Sequence, residues 1–337
     1  MTAATETSID ANIKAPLEAL AGHSPAAPTW FTSALRREPN RTVHIVHGTP
    51  IETLTWGDSG KPGLLLLHGK MAHADWWSFI APFFAYHYRV VALSWSGMGR
   101  SGWRDAYSIE LMTEEIDAVA RATGLFEGAV PPVLVGHSFG AFAALHYAAE
   151  RGEALGGLVT LDLPLLSREQ RQAQAARRSD DLLAAPRANR VYATLADALA
   201  RFRFAPPQRC DNLFIADFVA RMSLKQVARE ADGEGEGEGD PDWTWRFDPK
   251  IWHGLRPGDR MHGLAQAKCP LAVMWGECSE LVNPDSVKQV ATLVPAGTPF
   301  IEIPAARHHV MVDEPMALVA ALRALFSTWP LVRATTD

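Results

Sequence analysis

The sequence predicts an α/β fold: a mostly parallel sheet with helices on both faces. Three observations carry that prediction. Short apolar runs recur at residues 63–67, 89–93, 132–135, 157–161, 271–275 and 299–303, the pattern of strands covered on both sides. Helical periodicity fills the intervals at 75–84, 109–122, 138–151, 285–294 and 315–329, so strand alternates with helix. The chain has 337 residues, 47% of them hydrophobic, enough to bury one large core with an insertion.

Residues 1–40 are rich in Ala, Thr, Pro and Ser and read as an extension, with a short helix around 9–20, that wraps the surface. Residues 42–47 and 51–56 alternate around Gly48-Thr49-Pro50, which predicts a hairpin. The strand–helix rhythm then runs to about 163 and resumes near 258. Between these points lie polar helical segments at 167–179, 191–202 and 212–222, and no buried strand run. The same stretch holds an alternating tract from Gly233 to Gly239 that buries no apolar surface and reads as a loop. The expected division is an extension (1–40), a core (41–163 with 258–337) and a helical cap (164–257). A cap suits that position, because ligands of parallel sheets sit at the carboxyl ends of the strands.

The formal charge is −6, with no basic block, which disfavours nucleic acid and anionic membrane as partners. Cys210, Cys269 and Cys278 have neither metal-ligand nor redox spacing. No apolar run is long enough to span a membrane, and residues 1–24 lack a basic segment followed by an apolar one. The expected location is the cytoplasm. The expected partner is a small-molecule substrate, and the oligomeric state stays open.

The most specific motif is Gly136-His137-Ser138-Phe139-Gly140, set between an apolar strand and an Ala-rich helix. A serine on so sharp a strand-to-helix turn presents its hydroxyl to the cleft, and flanking glycines remove clashing side chains. The following helix aims its free amides at the same point. This segment resembles the nucleophile elbow of the α/β-hydrolase superfamily. The resemblance runs from about Val43 to the C-terminus, most of the cap excepted. Leu64 to Gly69 resembles the family's strand-then-His-Gly motif. Ser94-Trp95-Ser96-Gly97-Met98-Gly99-Arg100-Ser101 resembles its Asp-x-x-Gly-x-Gly-x-Ser loop, with Ser94 in place of the usual Asp.

A serine nucleophile needs a base. His308 follows the last strand and stands seven residues ahead of Pro315, as the resemblance implies for the catalytic histidine. His309 is one place off and reads as a supporting or solvent-facing residue. His68 and His137 come with their motifs and read as backbone-orienting. The third member, a carboxylate that orients the imidazole, departs from the usual pattern. The loop Trp275-Gly276-Glu277-Cys278-Ser279-Glu280 carries Ser279 where the family usually has Asp. Asp162, at the end of the strand after the nucleophile helix, is the favoured acid; Glu280 is the alternative. The resemblance places the oxyanion donors at the backbone N–H groups of Phe139 and Lys70.

Tryptophan is frequent, with 11 residues, and Trp76, Trp95 and Trp245 are expected to contact a bulky apolar or aromatic substrate. Trp77, Trp103, Trp243 and Trp252 lie in neighbouring loops. The reading is a serine hydrolase cleaving a carboxylic ester, amide or lactone through an acyl-enzyme, with no metal or organic cofactor. Two alternatives accompany it: hydrolysis of a carbon–carbon bond in a ring-cleavage diketone, and a ligand-binding receptor on the same fold.

Overall fold

The computed structural model describes residues 11–167, 169–170, 172–173, 187–228, 241–255 and 260–329. Its strands are β1 (Asn40–Val46), β2 (Thr49–Trp56), β3 (Gly63–Leu67), β4 (Arg89–Leu93), β5 (Val133–His137), β6 (Gly157–Leu161), β7 (Leu224–Val227), β8 (Asp242–Trp245), β9 (Leu271–Gly276) and β10 (Phe300–Ile303). Eight of them form one sheet in the order β1-β2-β4-β3-β5-β6-β9-β10. β2 pairs antiparallel with β1 and β4, and every other pair is parallel.

The central strands are apolar at every position because both faces are covered. In β3, Leu64 and Leu66 enter the core on one side of the sheet while Leu65 and Leu67 enter the core on the other. Burying each such leucine contributes about 1.5–3 kcal/mol. Helix Ile109–Ala122 is capped by the Ser108 side chain, which accepts from Leu111 N, and packs against helix Phe139–Arg151 on one face. Helix Pro315–Thr328 buries Leu318 and Leu322 in the core of the other face. No helix among the described residues is long and apolar enough to cross a membrane.

Three local expectations need correction. The hairpin turns at His47 and Gly48, both with positive φ (47° and 76°), and Thr49 already faces Val46 in the ladder. That is the backbone of a two-residue primed turn, so Thr49 and Pro50 belong to β2. Residues 75–84 form two short 3₁₀ turns, Ala74–Trp77 and Ala81–Phe83, rather than one helix. Pro82 lacks the amide a continuous helix would need there. The inserted stretch also contains a strand pair, with β7 and β8 antiparallel. Its members are far apart in sequence and only partly buried, so neither has the apolar run of a core strand. The Gly/Glu tract at 233–239 and most of 167–179 lie outside the described residues.

The N-terminal stretch is anchored. Phe31, in helix Thr29–Leu35, lies 4.9 Å centroid to centroid from Phe214 and 5.6 Å from Phe79. The Asn12 side chain both donates to and accepts from the Cys210 backbone, at 3.0 and 2.8 Å.

Candidate active site

Ser138 sits between β5 and helix Phe139–Arg151 with φ 52° and ψ −112°. Such a backbone costs on the order of 1–3 kcal/mol outside glycine and persists only where its surroundings enforce it. Here Ser138 N donates to Leu161 O at 2.9 Å, and Ser138 O accepts from Phe142 N at 3.3 Å. The motif glycines have a measurable reason. A Cβ on Gly140 would lie 2.5 Å from Leu67 O, and one on Gly136 would lie 2.6 Å from Ala141 Cα. The His68-Gly69 turn reaches the same corner, since a Cβ on Gly69 would lie 3.2 Å from Ser138 Cβ.

His308 is buried, and its Nδ1 is 3.3 Å from Asp162 Oδ2. Asp162 follows β6, is fully enclosed and takes a left-handed φ of 47°, which aspartate tolerates better than most residues. Its amide donates to Met274 O at 2.7 Å, which fixes the turn. Oδ1 has no partner among the described residues. Glu280, the other carboxylate considered, is exposed. Its neighbour Ser279 accepts from Leu281 N at 3.3 Å and serves its own loop.

The nucleophile strand grips the histidine loop directly. His137 Nε2 donates to the carbonyl of His308 at 2.9 Å, with ring centroids 4.9 Å apart. Burial, reinforced by the neighbouring His308, holds the His137 pKa well below its ordinary value, so the ring is neutral. His309 is not solvent-facing. It is buried among the rings of Phe204, Trp76 and His137, at 5.0, 5.3 and 5.6 Å. Burial also keeps it neutral. Nitrogens of His137, His308 and His309 lie within 4.8 Å of one another, close enough to suggest metal ligands. His137 Nε2, however, carries the proton it donates to the His308 carbonyl at 2.9 Å. That nitrogen is therefore committed to the carbonyl.

A clamp absent from the sequence reading flanks His308. Asp313 Oδ2 accepts from Arg307 N at 2.8 Å, and both Asp313 oxygens lie within 3.1 Å of Gln208 Nε2. Gln208 Oε1 in turn accepts from His309 N at 3.0 Å. Burial pushes the Asp313 pKa up to about 6, against the pull of Arg307 and Gln208. Nothing in the local sequence pairs residue 208 with 309, so no sequence signal pointed to it.

His68 orients its own turn, as expected. Nδ1 lies 2.8 Å from Gly69 O, and Trp95 N donates to Nε2 at 3.1 Å. Burial lowers the His68 pKa to about 3. The expected substrate-contacting tryptophans divide. Trp95 is fully buried and donates its indole N–H to His68 O at 3.0 Å, so it braces the turn instead of facing a ligand. Trp76 is buried against His309 and Phe204. Trp245 is partly buried and lines a cavity of about 450 Å³. Lys70 is exposed, with its ammonium 4.5 Å over the Trp252 ring. Trp252 packs edge-on against Phe139 at 5.4 Å and donates to Met71 Sδ at 3.4 Å. It thus joins the two loops expected to supply the oxyanion amides.

Ser94 is explained by Glu52, a buried residue of β2. Ser94 Oγ donates to Glu52 Oε2 at 2.7 Å, and Arg100 N donates to the same oxygen at 3.1 Å. Ser101 Oγ donates to Ser94 O at 2.6 Å and accepts from Glu52 N at 2.9 Å. Arg41 pairs with Glu52 and forks onto Asp75 at 2.8 and 3.2 Å. The carboxylate missing at position 94 is supplied across the sheet.

Residues 64–322 match the model of the Alpha/beta hydrolase family. The chain belongs to that family. The expectation of a hydrolase is therefore met at the level of the family. Lipase LipV of Mycobacterium tuberculosis is 34% identical over 107 residues, which cover 32% of this chain and 39% of the lipase. The match thus spans about two fifths of that relative. Esterase Rv0045c of the same organism is 24% identical over 294 residues, 86% of this chain and 91% of the esterase. A solved structure of Rv0045c covers 93% of this chain and 98% of its own, with a TM-score of 0.64 and 22% identity. The thioesterase domain from the curacin biosynthetic pathway gives a TM-score of 0.65 at 23% identity, over 86% of this chain and 99% of that one. These structural likenesses speak to the fold.

Proposed function

We propose that this chain is a serine hydrolase that cleaves carboxylic esters through an acyl-enzyme. The observation that carries the reading is the contact between His308 Nδ1 and Asp162 Oδ2 at 3.3 Å, with the His308 carbonyl held by His137, the residue before the strained Ser138. A carboxylate at Nδ1 fixes the tautomer with Nε2 bare, the form required of a general base. Ser138 Oγ attacks the ester carbonyl as its proton passes to His308. The amides of Phe139 and Lys70 receive the developing oxyanion. His308 then protonates the leaving alcohol, activates water against the acyl-enzyme, and regenerates Ser138. Asp162 stabilises the imidazolium at each stage, and Glu280 takes no part. The 164–257 insertion serves as the cap, and Trp76 and Trp245 belong to an aromatic boundary suited to a bulky apolar acyl group. Relatives named lipase and esterase favour an ester over an amide or a carbon–carbon bond.

A fluorophosphonate probe tests the nucleophile. It should label Ser138 and fail on a Ser138→Ala chain, and the wild type should release nitrophenolate from p-nitrophenyl hexanoate. A folded wild-type chain that neither labels nor turns over would return the protein to the receptor reading.

A further inference from the structure

The cavity beside the site is charged as well as aromatic. Its volume is about 450 Å³, and Met71 and Phe204 line it. Met71 directly follows the expected oxyanion residue Lys70, and the Phe204 ring touches His309 at 5.0 Å. The cavity therefore neighbours the loop after β3 and the His309 ring, while Ser138 and His308 lie outside its lining. Four arginines, Arg190, Arg201, Arg203 and Arg246, are among its lining residues, and no acidic residue is.

Arg246 is the most telling of the four. It follows β8 directly and is partly buried, with Nε donating to Leu224 O at 2.8 Å. That bond anchors the stem and fixes the direction of the guanidinium. Asp248 is the acid closest to it in sequence, and it is committed elsewhere. Asp248 Oδ2 accepts from Tyr107 at 2.7 Å, and Oδ1 accepts from Lys250 N at 2.9 Å. Glu52 and Asp75 are held by Arg41. Among the described residues Arg246 makes no ion pair at contact distance; burial, Arg100 and Arg41 depress its pKa, and the more distant pull of Glu52 and Asp75 does not reverse that. A partly buried guanidinium without a counter-ion is costly unless something supplies the charge. Its fork geometry matches a carboxylate or phosphate.

We infer that this cavity binds an anionic group of the substrate on Arg246, with Arg203 and Arg201 at the rim, while Phe204 and Trp245 hold the apolar chain. The favoured substrate is then an ester whose acyl part is apolar near the scissile bond and ends in a carboxylate or phosphate. This inference rests on the serine-esterase reading for the chemistry but not for the binding.

Mono-p-nitrophenyl esters of succinate, adipate and suberate are compared with p-nitrophenyl butyrate, hexanoate and octanoate, and with a phosphate-ended hexanoate ester. A charge-assisted contact predicts a kcat/KM advantage of about 10-fold or more for an anionic ester over its neutral partner of equal length. Arg246→Gln should reduce that ratio, and Arg246→Lys should restore part of it. A higher ratio for the carboxylate or for the phosphate identifies which anion the pocket takes. Equal rates, or a preference for the neutral esters, would overturn the inference while leaving the esterase reading intact. Binding is measured separately by calorimetry of adipate and of hexanoic acid methyl amide on the Ser138→Ala chain. Tighter binding of adipate, weakened by Arg246→Gln, supports the pocket even if no ester is turned over. No difference between the two would count against it.

Discussion

At His308 one carboxylate among the described residues lies within reach of the ring. Asp162 Oδ2 faces Nδ1, whereas Glu280 is exposed to solvent. Replacing Asp162 by Asn keeps the shape but offers the ring an amide in place of a charge. We expect kcat on p-nitrophenyl hexanoate to fall by about 10³–10⁴-fold, with little change in KM. Glu280→Gln should leave both parameters as they are. Steady-state kinetics of the two variants side by side decide the assignment; a large loss in Glu280→Gln alone would reverse it. The sequence narrowed the acid to these two residues from the altered loop at Ser279, but distance in the chain ranks neither.

Elements are joined at this site by polar ties that cross the sheet. Glu52 of β2 holds the loop after β4 through Ser94 and Arg100 N, and it also balances Arg41 of β1. With Glu52 neutralised, Arg41 keeps Asp75 as its counter-ion, but Ser94 Oγ and Arg100 N lose a charged acceptor. Glu52→Gln should therefore lower stability by about 1.5–3 kcal/mol, read as an earlier urea midpoint with an unchanged slope. If the midpoint does not move, the tie is ornamental and the loop is held by its glycines. The strand-to-helix turn was legible because Gly136 and Gly140 are dictated by contacts with adjacent backbone. Glu52 was not, because its role depends on β2 lying beside β4, and nothing within the 94–101 motif names that neighbour.

Across the whole molecule, burial of titratable groups sets how stability varies with pH. Asp313 links the histidine loop to Gln208 of the inserted stretch, and its pKa in the fold is about 6 against an ordinary 3.8. Between those values the folded chain retains a proton that the unfolded chain has released. This group therefore makes stability fall as pH rises through that window, by at most about 1.4 kcal/mol per pH unit. His68, His73, His137 and His309 act in the opposite sense. Burial lowers each of them from 6.5, so the unfolded chain takes up more protons and stability is lost as pH falls below that value. Comparing urea midpoints of wild type and Asp313→Asn across about pH 4 to 6.5 isolates the aspartate. The variant should lose the Asp313 contribution, so its stability should rise more steeply with pH over that window. Parallel curves would show that Asp313 titrates as it does in the unfolded chain.

The sequence by itself determined the sheet, the sharp strand-to-helix turn at Ser138 and the likeness to α/β-hydrolases, and it singled out His308 as the candidate base. Each of these is written in local chemistry: alternation of apolar runs, glycines where backbones touch, a fixed spacing to a helix-starting proline. Tertiary structure alone decided which carboxylate meets His308, that Trp95 braces a turn, that His309 is enclosed, and that Arg246 faces a cavity with no acid in its lining. Those outcomes depend on which segments, distant in the chain, share a corner. The free energy of a charge or a ring there is set by its neighbours in space, and a list of residues in order does not contain them.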